Sequence, residues 1–451
     1  MARMDEAPNS RKAHILTYGC QMNVYESAVM KRLLERHGYS LVGSPDQAHL
    51  VILNTCSVRR RPERKVFGKL AELAKARKSR PEMKIVVSGC MAQLRADELR
   101  QRFRIDAIFG PRNLAEFAAF LARIEGGDVQ PEIATCLASN PFTGVRPAVE
   151  PGCPSAFVSI MEGCSNFCAY CIVPYVRGPE LSRPEEDVIA EIEALVAEGV
   201  REVTLLGQNV NAYGRDLPDG QTFVGLLRRA CQIKGLARVR FTTSHPRDFD
   251  REIVRAVAEL PQVCEHFHLP VQSGDDEILR QMGRGYTLHD YRALADYIRG
   301  TIPEAAISTD VMVGFPGETE AQFENTLRAF EEIRFDQAFT FIYTDRPNTA
   351  ASRMTEKVPR ETAVERLRRL SELQNRISKE INERQVGRVF EVLVEGPSEK
   401  DPSLLTGRTR TNKIVHFEGP PELRGSLVKV RACEAHLWGF TGQRADKEND
   451  A

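Results

Sequence analysis

The chain has 451 residues, of which 42% are hydrophobic and 27% charged, and its 62 Lys and Arg balance its 62 Asp and Glu. That length predicts about three domains, the composition is that of a soluble globular chain, and neutrality argues neither for nor against a nucleic-acid partner. No apolar run is long enough for a membrane span, and MARMDEAPNSRKAH lacks the apolar stretch of a secretory signal. A cytoplasmic location without membrane partners is therefore expected. There the 11 cysteines stay reduced, and clustered thiols point to metal binding or catalysis rather than disulfides. Any RNA contact needs a local basic patch. RRRPERK (59–65) and KARKSR (75–80) are the candidates, against the plainer reading of a solvated helix face.

Taken in chain order, residues 11–128 alternate short apolar strands with helical segments. HILTY (14–18), HLVILNT (49–55) and KIVVSG (84–89) read as buried parallel strands, and ESAVMKRLLERHG reads as a helix stopped at Gly38. Strands recurring every ~35 residues suit βαβ crossovers and an open parallel α/β sheet. Residues 129–154 are rich in Gly, Pro and polar residues and read as a linker, in which Cys136 and Cys153 stand singly with no assigned role. Strand–helix alternation resumes over 155–384, with strands at AFVSI, REVTLL, VRFTT, HFHLPV, AISTDVMV and QAFTFIY. SRPEEDVIAEIEALVAEG (182–199) predicts a helix capped by Ser182, with Pro184 in its first turn and Gly199 as its stop. Val188, Ile189, Ile192, Leu195 and Val196 line one face of it. Six such units predict a partial (β/α)6 barrel whose active site lies at the C-terminal ends of the strands. A long polar helix over 360–384 follows. Short strands with Gly-containing turns over 385–446 predict a small closed β-barrel.

EGCSNFCAYC follows the first barrel strand and sets Cys164, Cys168 and Cys171 in a C-x3-C-x2-C spacing. Thiolates suit iron–sulfur clusters or zinc. Structural zinc takes four ligands, commonly as two separated pairs; here three cysteines stand close together with no nearby His. Three cysteines on a four-iron cluster leave one iron open for a substrate or cofactor. Structural zinc, or unrelated buried cysteines, are the competing readings. The N-terminal strands also each end in a cysteine: TYGC (Cys20), LNTC (Cys56) and VSGC (Cys90). Parallel strands align their C-terminal ends, where ligands bind. Any one of these is read most simply as a small core residue, but the same position on three successive strands predicts a second metal site. Gly19 and Gly89 would let the backbone approach it closely.

These two triads, in this order, resemble the methylthiotransferase family of radical S-adenosylmethionine (SAM) enzymes. The likeness covers nearly the whole chain. TYGCQMNVYES, VILNTCSVR and VVSGCMAQ are similar to that family's N-terminal domain. MEGCSNFCAYCIVPYVRG, VTLLGQNVNAYG, FTTSHP, HLPVQSG and DVMVGFPGE are similar to its radical domain, and the C-terminal barrel resembles a TRAM domain, an RNA-binding module. NVNAYG, TTSHP and GRTRTNKIVHF point to the branch acting on isopentenyladenosine in tRNA. A sister branch acting on threonylcarbamoyladenosine, and a non-catalytic zinc-containing RNA-binding protein, are the alternatives. Asn348 stands where that branch usually has Gly, and RRRPERK departs from the family's usual sequence after the second cysteine.

The resemblance implies two [4Fe–4S] clusters, on Cys20, Cys56 and Cys90 and on Cys164, Cys168 and Cys171, and two SAM per turnover. One SAM methylates a sulfur at the first cluster. The other, bound at the second, yields the radical that takes hydrogen from adenine C2, and the base then accepts the methylthio group at position 37, next to the anticodon. The adenine is expected to be splayed out of the anticodon loop into a gap reached by both clusters. It further implies an electron donor such as a flavodoxin or ferredoxin. SAM contacts are implied at Gly207 and Gln208 (LLGQN), Gln272 and Ser273 (HLPVQSG), and Gly314, Pro316, Gly317 and Glu318 (GFPGE). Ordinary turns are the plain alternative for each. His245, His266 and His268 are read as structural and left out of the metal sites. Arg408, Arg410 and Lys413 are candidates for gripping tRNA phosphates, against plain surface charge.

Overall fold

The computed structural model describes residues 11–57, 60–127 and 130–445, with the side chains of 60–62 outside the description. The reading of the N-terminus and the start of RRRPERK therefore lie outside the described residues. Two compact units are present. The first runs to Val149 and includes Glu162–Ser165 and Cys171–Arg183; the second holds the remainder.

In the first unit β1 (Arg11–Thr17), α1 (Gln21–Arg36), β2 (Tyr39–Leu41), β3 (Leu50–Thr55), α2 (Arg60–Ala76), β4 (Lys84–Gly89), α3 (Cys90–Arg102), β5 (Ala107–Phe109), α4 (Leu114–Glu125) and β6 (Glu132–Ala134) follow in order. The strands form one parallel sheet in the order β2-β1-β3-β4-β5-β6. β3 is buried along its whole length. Its unbroken LVIL run is what a parallel strand covered on both faces requires. Val51, Leu53, Ile85, Val87 and Met91 meet Leu70 and Leu73 of α2 in the core.

The expected linker needs correcting, because β6 lies inside it and pairs with β5 from Ala107↔Glu132 to Phe109↔Ala134. Three residues with one exposed Ile give no periodic signal; backbone pairing at the sheet edge makes this strand. The basic run 75–80 is also only partly a surface patch. Arg77 is buried and binds Asp106 at 2.8 Å and the Arg104 carbonyl at 2.9 Å, and Arg80 donates to the carbonyls of Pro45 and Ala48.

In chain order there follow β7 (Ser155–Ser159), β8 (Met161–Glu162), α5 (Val173–Arg177), β9 (Leu181–Ser182), α6 (Glu185–Ala197), β10 (Glu202–Leu206), α7 (Phe223–Ala230), β11 (Arg238–Thr242), α8 (Arg251–Glu259), β12 (His266–His268), α9 (Asp276–Gln281), α10 (Leu288–Thr301), β13 (Ala306–Val313), α11 (Glu320–Ile333), β14 (Gln337–Ile342) and α12 (Arg360–Glu383). β11-β10-β7 and β12-β13-β14 are parallel sheets, and a parallel bridge from Val239 to Val263 joins β11 to the approach of β12. This is the six-stranded partial barrel. α6 starts later than expected: Pro184, with φ −52° and ψ 137°, is the residue before the helix, and Ser182 belongs to β9 and does not cap it. Glu185, Glu186 and Asp187 fill the first turn instead, where negative charge meets the positive helix end. Asn348 takes φ 67°, the left-handed conformation Asn tolerates in place of Gly.

β15 (Val389–Pro397), β16 (Leu405–Thr409), β17 (Ile414–Phe417), β18 (Leu427–His436) and β19 (Gly439–Arg444) close into a barrel in the order β15-β16-β17-β19-β18. Val392, Val394, Phe417, Val430 and Phe440 fill it. SLVKVRACEAHLWGF turns at Leu437–Trp438 into the β18–β19 hairpin.

The barrel's cations do not form the free phosphate grip expected of them. Arg410 lies past the end of β16 and binds Glu265 with two bonds to Oε1 and Oε2, of 2.6 and 2.8 Å, plus the carbonyls of Pro261 and Val263. Lys413 is buried between Asn382 at 2.6 Å and Asp336 at 3.1 Å. Arg408 binds Glu395 at 3.0 Å. From the other side, fully buried Arg238 donates to the carbonyls of Glu391 and Arg408, both at 2.8 Å, and to the Glu391 carboxylate at 2.9 Å. Arg240 reaches the Thr409 and Arg410 carbonyls. Replacing Arg238 with Met is expected to cost about 3 kcal/mol, because it strips partners from buried polar groups. Urea unfolding followed by Trp438 fluorescence measures it; a change under 1 kcal/mol would contradict this docking role.

Candidate functional site

Cys20 ends the loop after β1 and immediately precedes α1, Cys56 follows β3, and Cys90 opens α3. Two of the three thiols thus stand at helix N-termini, where a thiolate is favoured. Cys20 and Cys56 share a side-chain hydrogen bond. That bond, against burial and assisted by the charge of Arg177 and nearby backbone amides, lowers Cys20 to about 5. Burial pushes Cys90 the other way, up to about 12, although Arg177 counteracts it. Gly19 and Gly89 have a use beyond close approach to a ligand. A Cβ on Gly19 would stand 2.8 Å from the Cβ of Cys56, and one on Gly89 would strike the Thr55 carbonyl.

A buried polar network lies beneath the thiols. Asn23 Oδ1 accepts from the Cys20 amide at 3.2 Å, and its Nδ2 donates to Asn54 Oδ1 at 3.0 Å. Asn54 Nδ2 returns a bond to the Asn23 carbonyl at 2.9 Å and reaches Ser27 at 3.0 Å. Beside it the Arg177 guanidinium, 3% exposed, lies 2.7 Å from Glu26 and 2.6 Å from Glu162. Burial pushes the Glu26 carboxyl up to about 7 against the pull of Arg177. Cys90 packs with Ile172 and Val176, and Ile172 directly follows Cys171.

Cys164, Cys168 and Cys171 lie on one loop after β7. Cys164 donates its amide to the Gly178 carbonyl at 3.1 Å. Gly163, at φ 82°, precedes it, and a Cβ there would strike the carbonyls of Gly178 and Pro179. Cys168 is buried, follows Phe167 at φ 46°, and has Arg284 Nη1 3.4 Å and His245 Nε2 3.9 Å from its sulfur. His245, kept out of the metal sites from sequence, is thus a neighbour of Cys168. Burial, then the charge of Arg284, lowers it to about 3, so it stands neutral. Asn209 and Asn211 hold its backbone amide at 3.2 and 2.9 Å. His268 instead bonds Ser308 at 3.0 Å, and Ser308 bonds His266 at 2.9 Å.

The residues expected at SAM all follow strand C-terminal ends. Gly207 and Gln208 come after β10; a Cβ on Gly207 would meet Met161 at 2.5 Å. Gln272, at φ 69°, exchanges backbone bonds with Asp310 and Met312. Ser273 is buried and its hydroxyl accepts from the Asp275 amide at 3.2 Å. After β13, Gly314 at φ 72° donates to Glu318 Oε2 at 2.6 Å, and Gly317 at φ 81° donates to the Glu356 carbonyl at 2.6 Å, with Pro316 between them. Glu318 is also bound by Arg366 at 2.9 Å, so its carboxylate closes the GFPGE turn and ties it to α12.

Among the described residues no group of three or more His, Cys, Asp or Glu gathers as one metal ion would require. The thiolate sets suit a group of several irons, which cysteines hold from around its edges rather than at one point. The soft donors, the easily ionised Cys20 and the buried cations beside both sets suit such an anionic group. In metal-free protein, iodoacetamide at pH 7 is expected to alkylate Cys20 well before Cys90, as read by peptide mass spectrometry, because the thiolate is the nucleophile. Equal rates would contradict the opposed shifts.

Residues 158–330 match the Radical SAM superfamily, 12–110 match Uncharacterized protein family UPF0004, and 383–443 match the TRAM domain. The tRNA-2-methylthio-N(6)-dimethylallyladenosine synthase of Moorella thermoacetica is 48% identical over 96% of this chain and 98% of its own length. The protein of that name from Carboxydothermus hydrogenoformans is 48% identical over 95% and 98%. Among solved structures, the radical S-adenosylmethionine methyltransferase TsrM of Kitasatospora setae aligns with a TM-score of 0.55 at 15% identity, covering 76% of this chain and 75% of that one, a likeness of fold. Near full-length identity of this order, with the three matched regions in sequence order, means that the chain belongs to the tRNA-2-methylthio-N(6)-dimethylallyladenosine synthase family of radical SAM enzymes.

Proposed function

We propose that the chain methylthiolates C2 of N6-isopentenyladenosine at position 37 of tRNA, next to the anticodon, giving the 2-methylthio derivative. The observation that carries this reading is the 48% identity over almost the full length of both chains. The two cysteine sets support it. When bound, reduced four-iron clusters and SAM supply the radical and sulfur chemistry that an inert aromatic C–H needs.

The chain's own part is to hold and shield these groups. Cys164, Cys168 and Cys171 would hold one cluster and, as three ligands for four irons, would leave one iron for SAM. Gly207, Gln208, Gln272, Ser273 and the GFPGE turn present backbone and amide groups at the strand ends to SAM. Glu318 keeps that turn in shape. Cys20, Cys56 and Cys90 would hold the second cluster, and Arg177 sets positive charge beside Cys20 and Cys90. His245 and Arg284 stand against the buried Cys168 sulfur. Two SAM would be needed per turnover, and a flavodoxin or ferredoxin would supply the electrons.

Anaerobic turnover with SAM, dithionite and isopentenylated tRNA, followed by mass spectrometry of the digested nucleosides, tests the reading. The 2-methylthio product is expected. Its absence with full iron loading, or product formed only on threonylcarbamoyladenosine, would overturn it.

A further inference from the structure

α9 ends in a pair of backbone bonds, Gly283 N–H to the Arg280 carbonyl and Arg284 N–H to the Leu279 carbonyl, both 3.0 Å, with Gly283 at φ 71°. This is the Schellman end, which needs a left-handed residue at Gly283 and fixes the direction of the next one. The same helix end is pinned to the cysteine loop, because the Ala169 amide donates to the Met282 carbonyl at 2.8 Å. Arg284 therefore enters the interior at a set place beside Cys168.

The guanidinium is 4% exposed. It donates to the Pro270 carbonyl at 2.7 Å, to Tyr286 Oη at 3.1 Å, to Tyr170 Oη at 3.4 Å and to Cys168 Sγ at 3.4 Å. Three of these partners are neutral. Among the described residues it forms no ion pair with Asp or Glu, unlike buried Arg177, Arg238 and Arg366, which have carboxylates. A buried cation without a carboxylate partner is costly, and of its four partners the Cys168 thiol is, by residue type, the one that ionises most readily and the one that can ligate iron.

We propose that Arg284 is a positioning residue whose charge answers a thiolate-bound iron–sulfur group at Cys168 and eases that group's one-electron reduction. The inference rests on the cluster reading above. In the step concerned, an external reductant gives one electron to the iron–sulfur group; no bond forms or breaks, and the guanidinium keeps all its protons. Added negative charge is stabilised by a fixed cation at short range in a site of low polarity. Removing the cation makes reduction harder.

The test is a dithionite titration of the reconstituted full chain with redox mediators, followed by electron paramagnetic resonance. Added SAM marks the signal of the cluster with the open iron. Wild type is compared with Arg284→Gln and Arg284→Lys, with iron counted in each. Arg284→Gln is expected to shift the one-electron equilibrium at least about tenfold against reduction, about 59 mV for a one-electron couple. Arg284→Lys, which keeps charge but loses the fork, is expected to stay within about threefold of wild type. An unshifted, fully loaded Arg284→Gln overturns the inference. If Arg284→Gln does not retain iron, Arg284→Lys decides: a wild-type potential supports the role of charge, and a tenfold shift at full iron overturns it. Wild type without a SAM-sensitive iron–sulfur signal overturns the cluster reading itself, and this inference with it.

Discussion

Cys168→Ala and Cys56→Ala are expected to fail in different ways. On the proposed function, Cys168→Ala removes one of the three ligands of the cluster with the open iron, so cleavage of SAM to 5′-deoxyadenosine is expected to fall to background and no methylthiolated nucleoside to form. Cys56→Ala breaks the thiol pair with Cys20 while leaving the radical-domain loop untouched, so SAM cleavage persists and methylthiolation is lost. Each variant is expected to retain about four of about eight irons per chain if each set holds a four-iron cluster. Chromatography of 5′-deoxyadenosine and mass spectrometry of the tRNA nucleosides read the two activities separately. Methylthiolated product from Cys56→Ala at the wild-type rate would remove the second set from the chemistry.

Arg177→Met is expected to be the most destabilising single change outside the hydrophobic cores. The methionine fills much of the volume but leaves Glu26 and Glu162, 4% and 3% exposed, without their shared cation. Breaking a buried ion pair from one side costs about 3–5 kcal/mol. Denaturant unfolding of the metal-free chain measures this, and adding Glu26→Gln to Arg177→Met is expected to recover part of it. Burial raises Glu26 from 4.5 to about 7, so the folded chain favours its protonated form. Its contribution to stability is complete below pH 4.5 and is lost as pH rises through about 7. Glu26→Gln should flatten that slope between those values; an unchanged slope would assign the pH dependence elsewhere.

The places of Cys20, Cys56 and Cys90 at strand ends, and of Cys164, Cys168 and Cys171 on one loop, were legible in the sequence, because strand ends and tight spacings are local features. Cys20, Cys56 and Cys90 each follow a short apolar run, and parallel pairing carries such positions to one sheet edge. The groups around them were not legible. Arg177 meets Glu26 across 151 positions of chain and Arg284 meets Cys168 across 116, and no periodicity records such meetings. Weak signals existed. Glu26 sits on the buried face of α1, and Asn54 interrupts the apolar run of β3. A polar residue in such a place asks for a partner. The three-residue strands β2, β5 and β6 were missed because they are made by pairing rather than by their own hydropathy. Arg410 and Lys413 looked like surface cations because a sequence does not tell whether an acid waits opposite.

The docking of the small C-terminal barrel has a further consequence. The turn Thr409–Lys413 meets Arg238 and Arg240 at the start of β11, and Lys413 meets Asp336 just before β14. It therefore acts as a stopper at the strand starts of the six-stranded barrel, at the end opposite the GFPGE turn, which follows β13. β13, the longest of the six strands at eight residues, runs ~26 Å along its own axis at about 3.3 Å per residue, so the Arg238 and Arg240 contacts that hold the barrel stand a strand's length from the GFPGE turn.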